Sequence, residues 1–184
     1  MIDIRPLQNA EEVHACAQTM ATSDPWLTLG RGYEECRNIL SDAAKETYVA
    51  YGNDCLAGFI ILNLQGAFRG YIQTVCVMPD WRGQGVGSEL IKFAEARIFR
   101  DFPNVFMCVS SFNPNAQKLY LRLGYEVIGE LKDYIVAGHS EILLRKTIGP
   151  MAEFRKQAMA WAGVLFQPST HVSQPTICAF VCKN

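Results

Sequence analysis

The sequence has no run of about 18 apolar residues, so no segment reads as a helix spanning a bilayer. Its first residues, Met1-Ile2-Asp3-Ile4-Arg5-Pro6, lack a charged stretch followed by an apolar one and do not read as a signal peptide. Excess charge is missing too: 17 Lys and Arg stand against 18 Asp and Glu, a formal net charge of −1. That removes the broad basic footprint of a nucleic-acid binder, though it leaves room for a local patch. There is no CxxC pair. Of the seven cysteines, the close pair Cys178 and Cys182 has no His at ligand spacing, so no metal site is expected. The thiols read as reduced, small apolar packing groups of a cytoplasmic protein. No internal repeat and no low-complexity segment interrupts the chain.

What is present suits one domain with a short appendage. The chain has 184 residues, 49% of them hydrophobic and 19% charged, enough to bury a core without staples. Ile2–Leu7 reads as a strand. Asn9 is placed to cap a helix from Ala10 to Met20, and a second helix spans Tyr33–Asp42. Thr47–Tyr51 and Leu56–Leu64 flank the turn Gly52-Asn53-Asp54 and read as a hairpin. Tyr71–Met78 is the next strand. An amphipathic helix follows, with Leu90, Ile91, Ala94, Ile98 and Phe99 on one face. Val105–Ser110 reads as a buried strand, and Asn113-Pro114 opens a helix that Gly124 ends. Tyr125–Leu131, Tyr134–Ala137 and Glu141–Arg145 read as the last strands. This order predicts an α/β fold, a mixed sheet packed by helices. Gly149-Pro150 reads as a boundary, placing the domain at 1–148. The extension 149–184 holds a predicted helix, Ala152–Phe166, and an apolar run, Ile177–Cys182; its role is open.

The most informative stretch is Val75-Cys76-Val77-Met78-Pro79-Asp80-Trp81-Arg82-Gly83-Gln84-Gly85-Val86-Gly87-Ser88, which passes from strand through loop to helix. Glycines at alternate positions permit close backbone approach to a ligand. The unpaired amides and dipole of a helix start favour an anion, most naturally a phosphate. A P-loop would need Lys-Ser/Thr after the last glycine, and none is there. A dinucleotide fingerprint needs wider glycine spacing in a first βαβ unit and an acid ending its second strand. The acyl-CoA pattern Arg/Gln-x-x-Gly-x-Gly/Ala is matched by Arg82, Gly85 and Gly87. A plain strand-to-helix turn is the other reading of the same glycines.

A second motif follows: Asn113-Pro114-Asn115-Ala116-Gln117-Lys118-Leu119-Tyr120-Leu121-Arg122-Leu123-Gly124-Tyr125. With Arg-x-x-Gly-x-Gly before it at the expected distance and the same element order, residues 2–148 resemble the GNAT N-acetyltransferase superfamily. The resemblance implies a mixed, mostly antiparallel central sheet flanked by helices. Its middle strands, here Tyr71–Met78 and Val105–Ser110, splay to admit acetyl-CoA. By position it implies that Val75, Cys76 and Val77 pair with the pantetheine arm. Arg82, Gly83, Gln84, Gly85, Val86, Gly87 and Ser88 would hold the pyrophosphate. Asn113, with Ala116 beside it, would contact the pantetheine, and Tyr120 would stand near the thioester sulfur. No metal is implied. Many relatives dimerise, so a homodimer is an expectation.

Chemistry agrees about Tyr120. A thiolate leaving group needs a proton in the transition state, and a phenol can supply it; read structurally, the same residue is a core tyrosine behind a helix. The amine must lose a proton in turn. Ribosomal-protein N-terminal acetyltransferases carry a glutamate five residues before the Asn of the second motif, and this chain has Cys108 there. Cys108 reads better as a buried strand residue than as a nucleophile. Gln73 could hold a water. Asp24, Glu34, Glu35, Asp133, His139 and Glu141 are the other candidate bases, each also readable as a solvated or capping group. Trp26 and Tyr33 flank a glycine-containing bend and, with Tyr134, form a candidate wall for an amine acceptor; a packing role between helices is the alternative. The expected activity is acetyl transfer from acetyl-CoA to a primary amine of a small molecule or peptide, by direct attack in a ternary complex. The competing expectation is a CoA-binding regulatory module without turnover. Neither nucleic acid nor membrane is an expected partner.

Overall fold

A computed structural model describes residues 1–156. Seven strands form one sheet in the order β1-β2-β3-β4-β5-β7-β6. They are β1 (Asp3–Pro6), β2 (Glu46–Gly52), β3 (Cys55–Asn63), β4 (Tyr71–Val77), β5 (Asn104–Ser110), β6 (Glu126–Lys132) and β7 (Ser140–Thr147). Every neighbouring pair is antiparallel except β4 and β5. The helices are α1 (Ala10–Ala21), α2 (Tyr33–Leu40), α3 (Val86–Ile98) and α4 (Pro114–Arg122). The mixed, mostly antiparallel sheet with flanking helices is therefore present.

Two apolar clusters sandwich the sheet. Val86, Leu90, Ile91, Ala94 and Ile98 of α3 and Tyr120 of α4 pack on one face, against Ile60 and Leu62 of β3. Cys16, Ala17 and Met20 of α1 and Cys36 and Leu40 of α2 pack on the other, against Phe59 and Ile61. The alternation of β3 follows the two-residue period of a strand buried on both sides. The start of α1 is tied to the sheet. Asn9 Oδ1 caps the helix by accepting the Glu12 N–H at 2.9 Å, and Glu12 Oε2 accepts the N–H of Gln8, just before the cap, at 2.8 Å. Glu12 also accepts from Arg5 at 2.5 Å and from the Tyr51 hydroxyl at 3.0 Å.

One predicted strand is corrected. Tyr134–Ala137 belongs to the turn between β6 and β7. Asp133 and Gly138 adopt φ of 51° and 83°, and the Gly138 N–H donates to Asp133 Oδ1 at 2.6 Å. An aspartate that tolerates the left-handed region and accepts across the turn closes the hairpin where apolar residues suggested a strand. Residues 151–156 are helical. The remainder of the predicted helix to Phe166, the run Ile177–Cys182, and Cys178 and Cys182 lie outside the described residues.

Candidate active site

The centre of the sheet opens. β4 and β5 pair only at Tyr71↔Phe106 and Ile72↔Met107. On its other side β4 stays paired with β3 as far as Val77, and β5 with β7 as far as Ser110. The facing edges from Gln73 and from Cys108 onward therefore lack a strand partner. The divergence begins at a bulge: Ile72 is opposite Leu62 and Thr74 opposite Ile61, which leaves Gln73 as the extra residue. A bulge bends its strand and adds twist. It also shifts the alternation, so that Ile72 faces the α3 side whereas Cys76, an even number of residues on, faces α1 and α2. The splayed middle strands are thus built into β4 itself.

Beyond the opening the chain turns tightly into α3. The Met78 N–H donates to Ala57 O at 2.9 Å and Pro79–Trp81 form a 3₁₀ turn. Arg82 Nε donates to Val77 O at 3.3 Å. Gly83 and Gly85 have φ of 75° and 88°, which an L side chain resists. Gly85 is the N-cap of α3, and its carbonyl accepts the Glu89 N–H at 3.1 Å. The amides of Val86, Gly87 and Ser88 thus precede the first intrahelical bond and carry the positive end of the dipole. They border a groove of about 700 Å³. The same groove gathers Val75, Cys76, Val77, Arg82, Gly83, Gly85, Val86, Gly87, Ser88, Asn113, Ala116 and Tyr120. Gln84 is not among its walls; its side chain donates to Asp80 O at 2.7 Å.

The second motif supplies the far wall. Asn113 caps α4 by accepting the Ala116 N–H at 3.2 Å, and Pro114 occupies the first turn, where no N–H is needed. Eight residues of sequence then bring Tyr120 to the mouth of the splay, edge-on to Tyr125 with ring centroids 6.2 Å apart. Tyr120 is buried, and that burial pushes its phenol up to about 12. Behind it, Lys146 Nζ contacts Glu95 Oε2 at 2.7 Å and lies 5.8 Å from the Tyr125 ring centroid.

On the other side of Tyr120 lies a smaller cavity of about 150 Å³, sharing Pro25, Trp26, Val75, Asn113 and Tyr120 with the groove. Trp26, Gln73 and Tyr134 line it; Tyr33 does not. The Tyr33 hydroxyl lies 2.7 Å from His14 Nδ1, and its ring packs edge-on against that histidine, because α1 and α2 lean together and turn it toward each other's surface. Among the candidate bases, Asp24 caps Thr28, Glu34 pairs with Arg37, and Asp133 closes the hairpin. Glu141 differs. It is 6% exposed, it lines the small cavity, and Ser110 Oγ donates to its Oε1 at 2.6 Å. No Lys, Arg or His lies within ion-pair distance of it among the described residues. Its sequence signal was an acid heading an otherwise apolar strand, Glu141-Ile142-Leu143-Leu144. Cys108 faces Tyr71 in the same cavity, and burial raises both groups, so Cys108 is held as a thiol rather than as an activated thiolate.

The chain is similar in sequence or fold to known acetyltransferases. A bovine (Bos taurus) thialysine N-epsilon-acetyltransferase is 32% identical over 65 residues, which cover 35% of this chain and 38% of that one, so the match spans well under half of the relative. A blasticidin-S acetyltransferase from Streptomyces morookaense is 29% identical over 100 residues, 54% of this chain and 73% of the relative. The fold superimposes on spermidine N-acetyltransferase from Vibrio cholerae, solved with CoA and spermine, with a TM-score of 0.64 at 15% identity, covering 84% of this chain and 98% of the other. A sequence model of the acetyltransferase (GNAT) family matches residues 8–125, spanning the bulged β4, the glycine loop and the Tyr120 helix alike, and the chain belongs to that family.

Proposed function

We propose that this chain transfers the acetyl group of acetyl-CoA to a primary amine of a small molecule or peptide by direct attack. One observation carries the reading: the gap between β4 and β5 joins a phosphate-suited groove to a second cavity, and Tyr120 lines both. The groove fits acetyl-CoA on three counts. Free amides at the start of α3 suit a pyrophosphate. The unpaired β4 edge past Ile72 offers backbone groups to an extended chain that carries its own amides. At Gly87 an added Cβ would stand 3.5 Å from Val77 and 3.7 Å from Leu119, on the groove floor.

The residues then divide the work. The N–C bond forms as the amine lone pair meets the thioester carbon, and the C–S bond breaks with its electron pair going to sulfur. Tyr120 keeps its proton at neutral pH, because burial raises its phenol to about 12. It gives that proton as sulfur becomes basic during bond cleavage. The phenolate left at Tyr120 regains a proton from water, and the amine loses one as the N–C bond forms. Glu141, with Ser110 on one carboxylate oxygen, is the base that receives it. Gln73, Trp26 and Tyr134 position the amine.

Calorimetric titration with acetyl-CoA, beside NADH and ATP, tests the first half. Selective binding near one per chain supports the groove's assignment; none by folded protein removes it. Thiol release on a broad amine panel tests the second. Binding without turnover on any amine would favour the regulatory-module reading.

A further inference from the structure

The small cavity carries one group of each charge. Glu141 is a buried carboxylate with one side-chain donor, Ser110, and no cationic partner among the described residues. A carboxylate accepts up to about four hydrogen bonds, and leaving it buried and unpaired is costly. An ammonium group brings three donors and the missing charge. Arg31 lines the same cavity. Its Nε stands 3.7 Å from Glu35 Oε1, too far for a hydrogen bond, so the guanidinium fork is not consumed by that pair. Its backbone is fixed: the Arg31 N–H donates to Trp26 O at 3.0 Å, and Gly30 before it turns at φ 70°. The planar guanidinium fork matches a carboxylate in geometry.

We infer that the acceptor is a free amino acid or a comparably small zwitterion, its ammonium at Glu141 and its carboxylate at Arg31. This rests on the acetyl-transfer reading and names the substrate class of that site. The pair also selects against alternatives. A polycation would set a second positive charge against Arg31, and like charges brought together in a confined site are rejected. A neutral ester or a decarboxylated amine would leave Arg31 without its partner.

The test uses the full chain and matched series. Each protein amino acid is titrated into CoA-saturated protein and assayed for thiol release from acetyl-CoA. For those that bind, the methyl ester and the decarboxylated amine are compared. At least one amino acid should be acetylated, with its ester poorer by about tenfold or more in kcat/KM. Arg31→Gln should bring acid and ester to near parity while the affinity for acetyl-CoA stays unchanged. Arg31→Lys keeps the charge and should retain part of the preference, which covers a failure of Arg31→Gln to fold. Equal use of acid and ester by the unaltered protein, an undiminished preference in Arg31→Gln, or no amino acid bound by the CoA-loaded protein would overturn the inference. Failure of the acetyl-transfer reading looks different: acetyl-CoA does not bind, or an amino acid binds and no thiol is released.

Discussion

Ser110 and Glu141 are register partners across β5 and β7, and the Ser110 hydroxyl donates to Glu141 Oε1 at 2.6 Å in the buried end of that ladder. The bond fixes one carboxylate oxygen and leaves the other to the cavity. Ser110→Ala should therefore loosen the carboxylate without removing it. A hydrogen bond to a charged group contributes about 1.5–3 kcal/mol, so kcat/KM for the amine should fall roughly tenfold to a hundredfold. Acetyl-CoA affinity, read by calorimetry, should not move, because Ser110 lines the small cavity and not the groove.

Tyr120→Phe removes the proposed proton donor and little else. We expect kcat to fall by about 10²–10⁴, the usual range for loss of an acid catalyst, with acetyl-CoA still bound. Its stability profile gives an independent check. The folded-state phenol, at about 12, is above the ordinary value of 10. Its contribution is fully present below about pH 10 and is lost as pH rises through 12. Tyr120→Phe should thus reduce the alkaline loss of stability between those values, seen by comparing urea midpoints at pH 7 and pH 11. Tyr71 and Tyr125, raised by burial in the same direction, should keep the remainder of that loss.

The strands, helices and glycine loop could be read from local pattern because each is decided by its own neighbours. β4 alternates, α3 repeats apolar residues at helical spacing, and Gly83 and Gly85 occupy turns that other residues resist. The features that escaped depend on partners far along the chain. The bulge at Gln73 exists only against β3. Glu141 could be told from the other acids only once β7 paired with β5, 31 residues apart at Ser110. Tyr33 read as an acceptor wall because its chain neighbours are aromatic and glycine-rich, yet the packing of α1 on α2 gave it His14 instead. Tyr134, expected on a strand, reaches the cavity from the turn between β6 and β7.

The cap of α1 predicts an acid-sensitive fold. Hydrogen bonds from Arg5, the Gln8 N–H and Tyr51 hold the Glu12 carboxyl below its ordinary 4.5, with the Arg5 bond the leading cause. A lowered carboxyl stabilises the fold above its unfolded value and loses that contribution as pH falls through the folded one. Glu12→Gln should cost about 1.5–3 kcal/mol at pH 7. The gap between the two melting temperatures should begin to narrow as pH falls below about 4.5. A gap of the same size at every pH from 7 down to 3 would mean that Glu12 acts through packing and not through charge.

Gly85 and Gly87 stand two residues apart and should respond oppositely. At Gly85 nothing lies within 4 Å of an added Cβ, but φ is 88°. Gly85→Ala therefore meets no clash and still costs about 1–2 kcal/mol in backbone strain. Its melting temperature should fall, and acetyl-CoA binding should weaken with the displaced helix start. Gly87 is within α3, where alanine is the better helix former by about 1 kcal/mol. Its new methyl would reach Val77 and Leu119 at 3.5 Å and 3.7 Å, ordinary contact distances. Gly87→Ala should hold or raise the melting temperature while adding a methyl to the wall of the groove. Weaker acetyl-CoA binding by a protein no less stable than its parent would separate the groove's shape from the fold's integrity. Unchanged affinity in Gly87→Ala would mean that the ligand does not approach α3 at its first turn.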